Sequence, residues 1–228
     1  MVSIRKARCS VLSDRERAKP LADYTFYTNP MSRGQIARWA LHEVGADYED
    51  ALVDWQAKPQ ALLDVNPMGK VPTIVHHVDG RMRVVSEAAA ICAYLAEMHP
   101  EAGLLPNDGQ MADYFRWMFF CAGPGEQAIT SKALGFTPTP EQEGMAGFGS
   151  FERTVSTLEW WLKDRDYVCG NGFTMADVYV GSQIDWGLTF GVFPPNETFV
   201  AYTERLQQRP AYKEAKAVDN ALIESMKK

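Results

Sequence analysis

The sequence predicts an α/β first half, a mixed four-stranded sheet with helices packed on it, joined to an all-helical second half. Three observations carry this prediction. Strand and helix signals run β-α-β-α-β-β-α between Tyr24 and Met98. A stretch of turn-forming residues follows Pro100, with Gly103, Pro106, Asn107, Asp108 and Gly109. Beyond it strand signals fade, and apolar residues recur at helical spacing. The expected organisation is an N-terminal extension at 1–22, a sheet domain at 23–100, a linker at 101–110 and a helical domain at 111–228.

Tyr24 to Thr28 is short, aromatic and β-branched, and reads as a strand broken by Asn29-Pro30-Met31-Ser32. Ile36, Ala40 and Val44 recur at steps of four, and Gly45 closes that helix. Tyr48 to Val53 is a second strand, and Pro59 to Val65 a short helix ended by Asn66-Pro67. Val71 to Val75 is the next strand, and Asp79-Gly80 makes a hairpin turn back to Arg83–Val85. Ser86-Glu87 opens a helix with Ile91, Tyr94, Leu95 and Met98 on one face. In the second half a helix starts with Ala112, Phe115 and Phe119, and Gly123-Pro124-Gly125 interrupts it. Phe151, Val155, Leu158 and Leu162 form another apolar stripe. Thr174 and Asp177 make a capping box with Phe173 and Val178 as staple, and a helix from Tyr202 to Gln208 stops at Arg209-Pro210.

Hydrophobic residues are 46% and charged residues 23% of the 228, which excludes a largely disordered chain. No run of roughly 18 apolar residues offers a membrane span. A net charge of −6 argues against a nucleic-acid footprint. Cys9, Cys92, Cys121 and Cys169 are too scattered for a C-x-x-C motif or a dense disulfide framework, so a reduced, cytoplasmic protein is expected. Residues 1–22 are basic but hold no long apolar stretch, and read as a surface extension rather than a secretory signal. His76 and His77 are neighbours on a strand and face opposite ways, so no metal site is expected.

Three segments carry chemistry. In Asn66-Pro67-Met68-Gly69-Lys70-Val71-Pro72, a cis Val71-Pro72 bond would leave Val71 showing its N–H and C=O outward, able to pair with an extended peptide. The alternative is a plain turn before a strand. In Ser86-Glu87-Ala88, the free N–H groups of a helix start suit a carboxylate, and Glu87 suits an ammonium beside it. The alternative is that both side chains only stabilise the helix start. At Asn29-Pro30-Met31-Ser32-Arg33, a hydroxyl or amide at a helix N-terminus can donate to a thiolate, or Ser32 is only an N-cap.

Together these residues resemble the glutathione S-transferase superfamily, in its bacterial type with a Ser/Asn-containing active-site turn. The resemblance runs from Tyr24 to about Tyr212 through N-P-M-G-K-V-P-T, E-A-A-A-I-C-A-Y-L, F-T-M-A-D and R-P-A. It implies a thioredoxin-like N-terminal domain, an all-helical C-terminal domain, glutathione as co-substrate and a homodimer. Val71, beside Lys70 and Pro72, matches the position that holds the cysteinyl backbone of glutathione. Glu87 matches the residue on the γ-glutamyl amine. Lys58 stands where some subfamilies bind the glycine carboxylate. Ala88 replaces the usual Ser, leaving its backbone N–H for the carboxylate.

For thiol activation the resemblance points to Ser32, with Asn29 and then Tyr27 as alternatives. Tyr114, Trp117, Met118 and Cys121 are candidates to line a pocket for a small hydrophobic electrophile, or else they are core. The expected activity is a transferase that activates the glutathione thiol, as in detoxifying conjugation. A glutathione-dependent isomerase, reductase or lyase, or a non-catalytic partner-binding member, would share the fold. The partners expected are glutathione, the electrophile and a second copy of the chain, with no nucleic acid and no membrane.

Overall fold

The computed structural model describes residues 22–227. Residues 1–21, most of the expected extension, lie outside the described residues, as does Cys9.

The first half runs β1 (Tyr24–Thr28), α1 (Gly34–Glu43), β2 (Tyr48–Leu52), α2 (Gln60–Val65), β3 (Thr73–Val78), β4 (Arg81–Ser86) and α3 (Ala88–Met98). The sheet order is β2-β1-β3-β4, with β1 and β2 parallel and the other pairs antiparallel. β1 is central and covered on both faces. Tyr24 and Phe26 enter the main core, while Tyr27 packs with Val53, Leu62 and Val75 under α2. This is the two-step alternation of a strand buried on both sides. Asp79 and Gly80 take φ of 54° and 68°, as a two-residue hairpin requires.

Two short 3₁₀ turns, Pro100–Ala102 and Asp108–Gln110, lead to α4 (Met111–Phe120). A π-type turn (Cys121–Gly125) joins it to α5 (Glu126–Ala133), followed by α6 (Phe151–Leu162), α7 (Met175–Thr189), α8 (Glu197–Gln207) and α9 (Pro210–Met226). The π-type turn is where Gly123-Pro124-Gly125 was expected to interrupt the helix; Pro124 has no N–H to donate there. α7 is the buried axis of this half. Its capping box is formed by Thr174 and Asp177. The fully buried Asp177 also accepts from Val168 N–H at 2.7 Å and Tyr202 O–H at 2.8 Å.

Several boundaries differ from the sequence reading. α3 begins at Ala88 because Glu87 takes φ 69°, outside the helical region. β3 begins at Thr73, after the Val71–Pro72 peptide, which is cis. α8 starts at Glu197, where Asn196 caps the Phe199 N–H at 2.8 Å. Arg209-Pro210 ends one helix and opens another, since proline at the first helical position forfeits no helical hydrogen bond.

One hydrophobic core runs through both halves, from Tyr24 and Ile36 to Tyr202 and Ala215. The buried Arg38 of α1 clamps them together. It donates to Asp219 of α9 at 2.8 Å, and to Tyr48 at 2.9 Å and Asp50 at 3.0 Å on β2.

Candidate functional site

The strand register decides where the site forms. Tyr27 of β1 stands beside Thr73 of β3, and Thr73 beside Ser86 of β4. Neighbouring strands are about 4.8 Å apart, so three loops emerge within roughly 10 Å at one end of the sheet. They are the turn after β1, the loop before β3 and the turn into α3.

The turn after β1 is tied by its own side chains. Asn29 is buried; its Nδ2 donates to the Val53 carbonyl at 2.9 Å, and its Oδ1 accepts from Met31 N–H at 2.9 Å. Ser32 is half-buried. Its hydroxyl donates to the Asn29 carbonyl at 2.6 Å and accepts from Gly34 N–H at 2.9 Å. Donation from Gly34 polarises the Ser32 O–H, which makes it a better donor to an anion. Rotation about one bond would turn that proton from Asn29 to a ligand. Asn29 has no such freedom, because its amide already holds β1 to the end of β2. Tyr27 faces the small cluster under α2.

In the loop before β3, Asn66 Nδ2 donates to the Lys70 carbonyl at 3.2 Å and to Thr73 Oγ1 at 2.9 Å, while Thr73 Oγ1 donates to the Lys70 carbonyl at 3.0 Å. Gly69 takes φ 58°, and Lys58 lies across it, so close that a Cβ there would meet Lys58 Nζ at 3.3 Å. Among the described residues, neither the N–H nor the C=O of Val71 has a backbone partner. Val71 therefore presents one free donor and one free acceptor just before β3, at the open end of the sheet, where an extended peptide can pair with it. Lys70 is exposed beside it.

At the turn into α3, Glu87 is exposed and combines φ 69° with ψ 121°. Such a backbone costs a non-glycine residue on the order of 1–3 kcal/mol, and it is found where function demands it. Here it swings the chain so that α3 begins with the buried Ala88, its first N–H groups unpaired within the helix.

The model described as "Glutathione S-transferase, N-terminal domain" matches residues 31–98, and "Glutathione S-transferase, C-terminal domain" matches residues 111–218. The chain belongs to the glutathione S-transferase superfamily. Among curated relatives, glutathione S-transferase GstA of Escherichia coli O157:H7 is 29% identical, covering 77% of this chain and 88% of that protein. A probable maleylacetoacetate isomerase of Caenorhabditis elegans is 31% identical, covering 77% and 84%. Among solved structures, a sphingomonad glutathione S-transferase complexed with glutathione superposes with a TM-score of 0.64 at 27% identity, covering 86% of this chain and 98% of that one.

In this glutathione S-transferase family chain the four α4 candidates divide between core and cavity. Tyr114, Trp117, Met118 and Cys121 form one helical stripe, and the core claims it. Trp117 stacks on Trp161 with ring centroids 4.9 Å apart, and Trp117 and Cys121 are both closed in the core. Tyr114 and Met118 do border a concavity of about 650 Å³ between α3 and α4, which Glu87, Phe115 and Phe119 also line. A second apolar hollow of about 460 Å³ is lined by Met31 of the turn after β1, Gln35 of α1, Trp186 of α7, Phe190 just past its end, and Lys216 and Ile223 of α9.

Cys92, Cys121 and Cys169 are all buried, and burial raises each thiol above its ordinary value, Cys169 to about 11. None of these side chains is thiolate at neutral pH. His76 bonds Tyr94 at 2.8 Å and His77 bonds Thr25 at 2.8 Å, one from each face of β3. No group of His, Cys, Asp and Glu among the described residues is gathered to hold a metal, and no helix among them is long and apolar enough to cross a membrane.

Sequence reasoning missed Gly34, whose lack of a side chain lets α1 close on Thr28, and Glu126, which grips Arg33. The Ser-Arg-Gly run carried a signal for the first. Nothing near Glu126 in the chain marked the second.

Proposed function

We propose that this chain is a glutathione transferase that activates the glutathione thiol for attack on a small hydrophobic electrophile. The observation that supports it most is the free backbone pair of Val71, set between the N-terminus of α3 and the Ser32 turn. An extended cysteinyl residue fits along Val71. The γ-glutamyl carboxylate meets the N–H of Ala88 with Glu87 beside the amine, and Lys58 and Lys70 serve the other end of the tripeptide. In this reading the sulfur lies at the Ser32 turn.

A free thiol with pKa about 8.5 is only a few per cent ionised at neutral pH. The Ser32 hydroxyl and the start of α1 stabilise the anion. A two-unit drop needs about 2.7 kcal/mol of preference for thiolate over thiol. The thiol proton passes to solvent, the sulfur forms a bond to the electrophilic carbon, and the leaving group departs with the electrons of the bond that breaks. The hollow lined by Met31, Trp186, Phe190 and Ile223 takes the electrophile, because Met31 adjoins Ser32 in the chain. A second copy of the chain covers the groove between α3 and α4, where Phe115 and Phe119 are 47% and 69% exposed.

The test is a calorimetric glutathione titration with an ultraviolet scan for thiolate and an assay with a halogenated dinitrobenzene. Binding, a lowered thiol pKa and thioether formation support the reading; binding without a pKa drop leaves a scaffold. The likeness to a probable maleylacetoacetate isomerase favours a second reading, in which the thiol adds to the substrate and later leaves. Glutathione is then recovered rather than consumed.

A further inference from the structure

Arg33 stands between Ser32 and Gly34 and occupies the cap position of α1. Its guanidinium grips Glu126 with two prongs, Nε donating to Oε1 at 2.6 Å and Nη2 donating to Oε2. Glu126 is not a free surface acid. Its side chain is 19% exposed, and its Oε1 also accepts from Nε2 of the buried Gln183 on α7 at 2.8 Å. The π-type turn at Cys121–Gly125 changes the phase at which α5 leaves α4, and Glu126 is the first residue after it. An isolated surface ion pair contributes little to stability, but a forked arginine–carboxylate pair with a third anchor fixes geometry.

We infer that Glu126 is a positioning residue of the thiol site: through Arg33 the helical half sets the turn that presents Ser32. This rests on the reading that Ser32 donates to the thiolate. Glutathione's contacts at Val71 and at the start of α3 involve neither partner of the bridge. Breaking it therefore spares binding and weakens thiol activation. A role in stability alone would leave the thiol of the folded protein as acidic as before.

The experiment uses the full chain with Glu126→Gln, Glu126→Ala, Arg33→Ala and the Arg33→Ala/Glu126→Ala double variant. Calorimetry gives the Kd for glutathione, thiolate absorbance gives the pKa of the bound thiol, and hydrogen exchange follows the amides of residues 32–35 in the free protein. We expect Kd to stay within about threefold while the bound thiol rises by about one unit, a roughly tenfold loss of thiolate preference. Exchange at residues 32–35 speeds up, and the double variant matches Glu126→Ala, which already removes both the Arg33 bridge and the Gln183 contact. An unchanged thiol pKa with unchanged exchange overturns the inference, as does full additivity. Glu126→Gln keeps shape and the Gln183 contact, so it carries the test if the alanine variants fold poorly. If the wild type binds no glutathione, the proposed activity falls. The role at the thiol site falls with it, and exchange at residues 32–35 then decides only whether the helical half holds the Ser32 turn: faster exchange says that it does, and unchanged exchange ends that as well.

Discussion

Thr28 and Gly34 are packed so closely that a methyl group on Gly34 would stand 2.1 Å from Oγ1 of Thr28. Thr28 is fully buried and, among the described residues, its hydroxyl has no hydrogen-bond partner, so the oxygen can move only against close packing. Either the end of β1 or the Ser32 turn must move. Gly34→Ala is expected to lower the unfolding free energy by about 1–3 kcal/mol, the usual range for overpacking, and to reduce kcat/KM by more than about tenfold. Denaturant melts and steady-state kinetics check both. Thr28→Ala removes the obstructing oxygen, so the double variant should recover much of the loss.

On the proposed reading Ser32 serves thiol activation and Asn29 serves architecture. Ser32→Ala should return the thiol of bound glutathione toward its free value, a rise of about two units, with a modest change in affinity. Asn29→Ala strands the Val53 carbonyl and the Met31 N–H. It should cost about 1–3 kcal/mol of stability, the penalty of unpaired buried groups. Thiolate titration and thermal melts distinguish the two; equal loss of acidity in both variants would move the donor's role away from Ser32.

Asp177 makes stability depend on pH. Burial pushes its carboxyl up to about 6, against hydrogen bonds from Val168, Thr174 and Tyr202 that pull it down. The folded state thus holds this proton more tightly than the unfolded chain does. The group's contribution is full below about pH 4 and is lost as pH rises through about 6, a change of about 3 kcal/mol. Asp177→Asn cannot titrate. The gap in unfolding free energy between wild type and Asp177→Asn should therefore change in that window and be flat above about pH 7.

Phe119 tests the groove between α3 and α4. Phe119 is 69% exposed and its ring lies 6.3 Å from that of Phe115, so a charge there disturbs little of the monomer's core. Phe119→Glu should leave the thermal midpoint of the isolated chain nearly unchanged and convert a dimer to a monomer. Sedimentation at several concentrations reads this directly; a wild type that is monomeric throughout would falsify the proposed pairing.

Much of the fold was legible because its signals are local. Asp79-Gly80 forms its hairpin through the backbone freedom of two neighbours, and Thr174 caps α7 through a residue three positions on. Arg209-Pro210 ends a helix as expected, and the helix that Pro210 also opens was not read, because proline suits both the end of one helix and the first position of the next. In the site, Val71, Lys70 and Glu87 were named from contiguous motifs, and the register of β1, β3 and β4 gathers their loops. The α4 candidates divide, Tyr114 and Met118 bordering a cavity while Trp117 and Cys121 are closed in the core. A stripe at helical spacing says that one face of the helix is buried, without saying whether protein or ligand covers it.

By itself the sequence determined the order of elements, the loop before Pro72, the capping of α7 and the residue types at the sheet's open end. Each rests on energies between residues a few positions apart. The tertiary structure decided that Trp117 and Cys121 belong to the core, that Glu87 leaves the helix in a left-handed conformation, and that Glu126 meets Arg33 across 93 positions of chain. Those outcomes depend on which surfaces exclude water together, and that competition is settled only when the whole chain has packed.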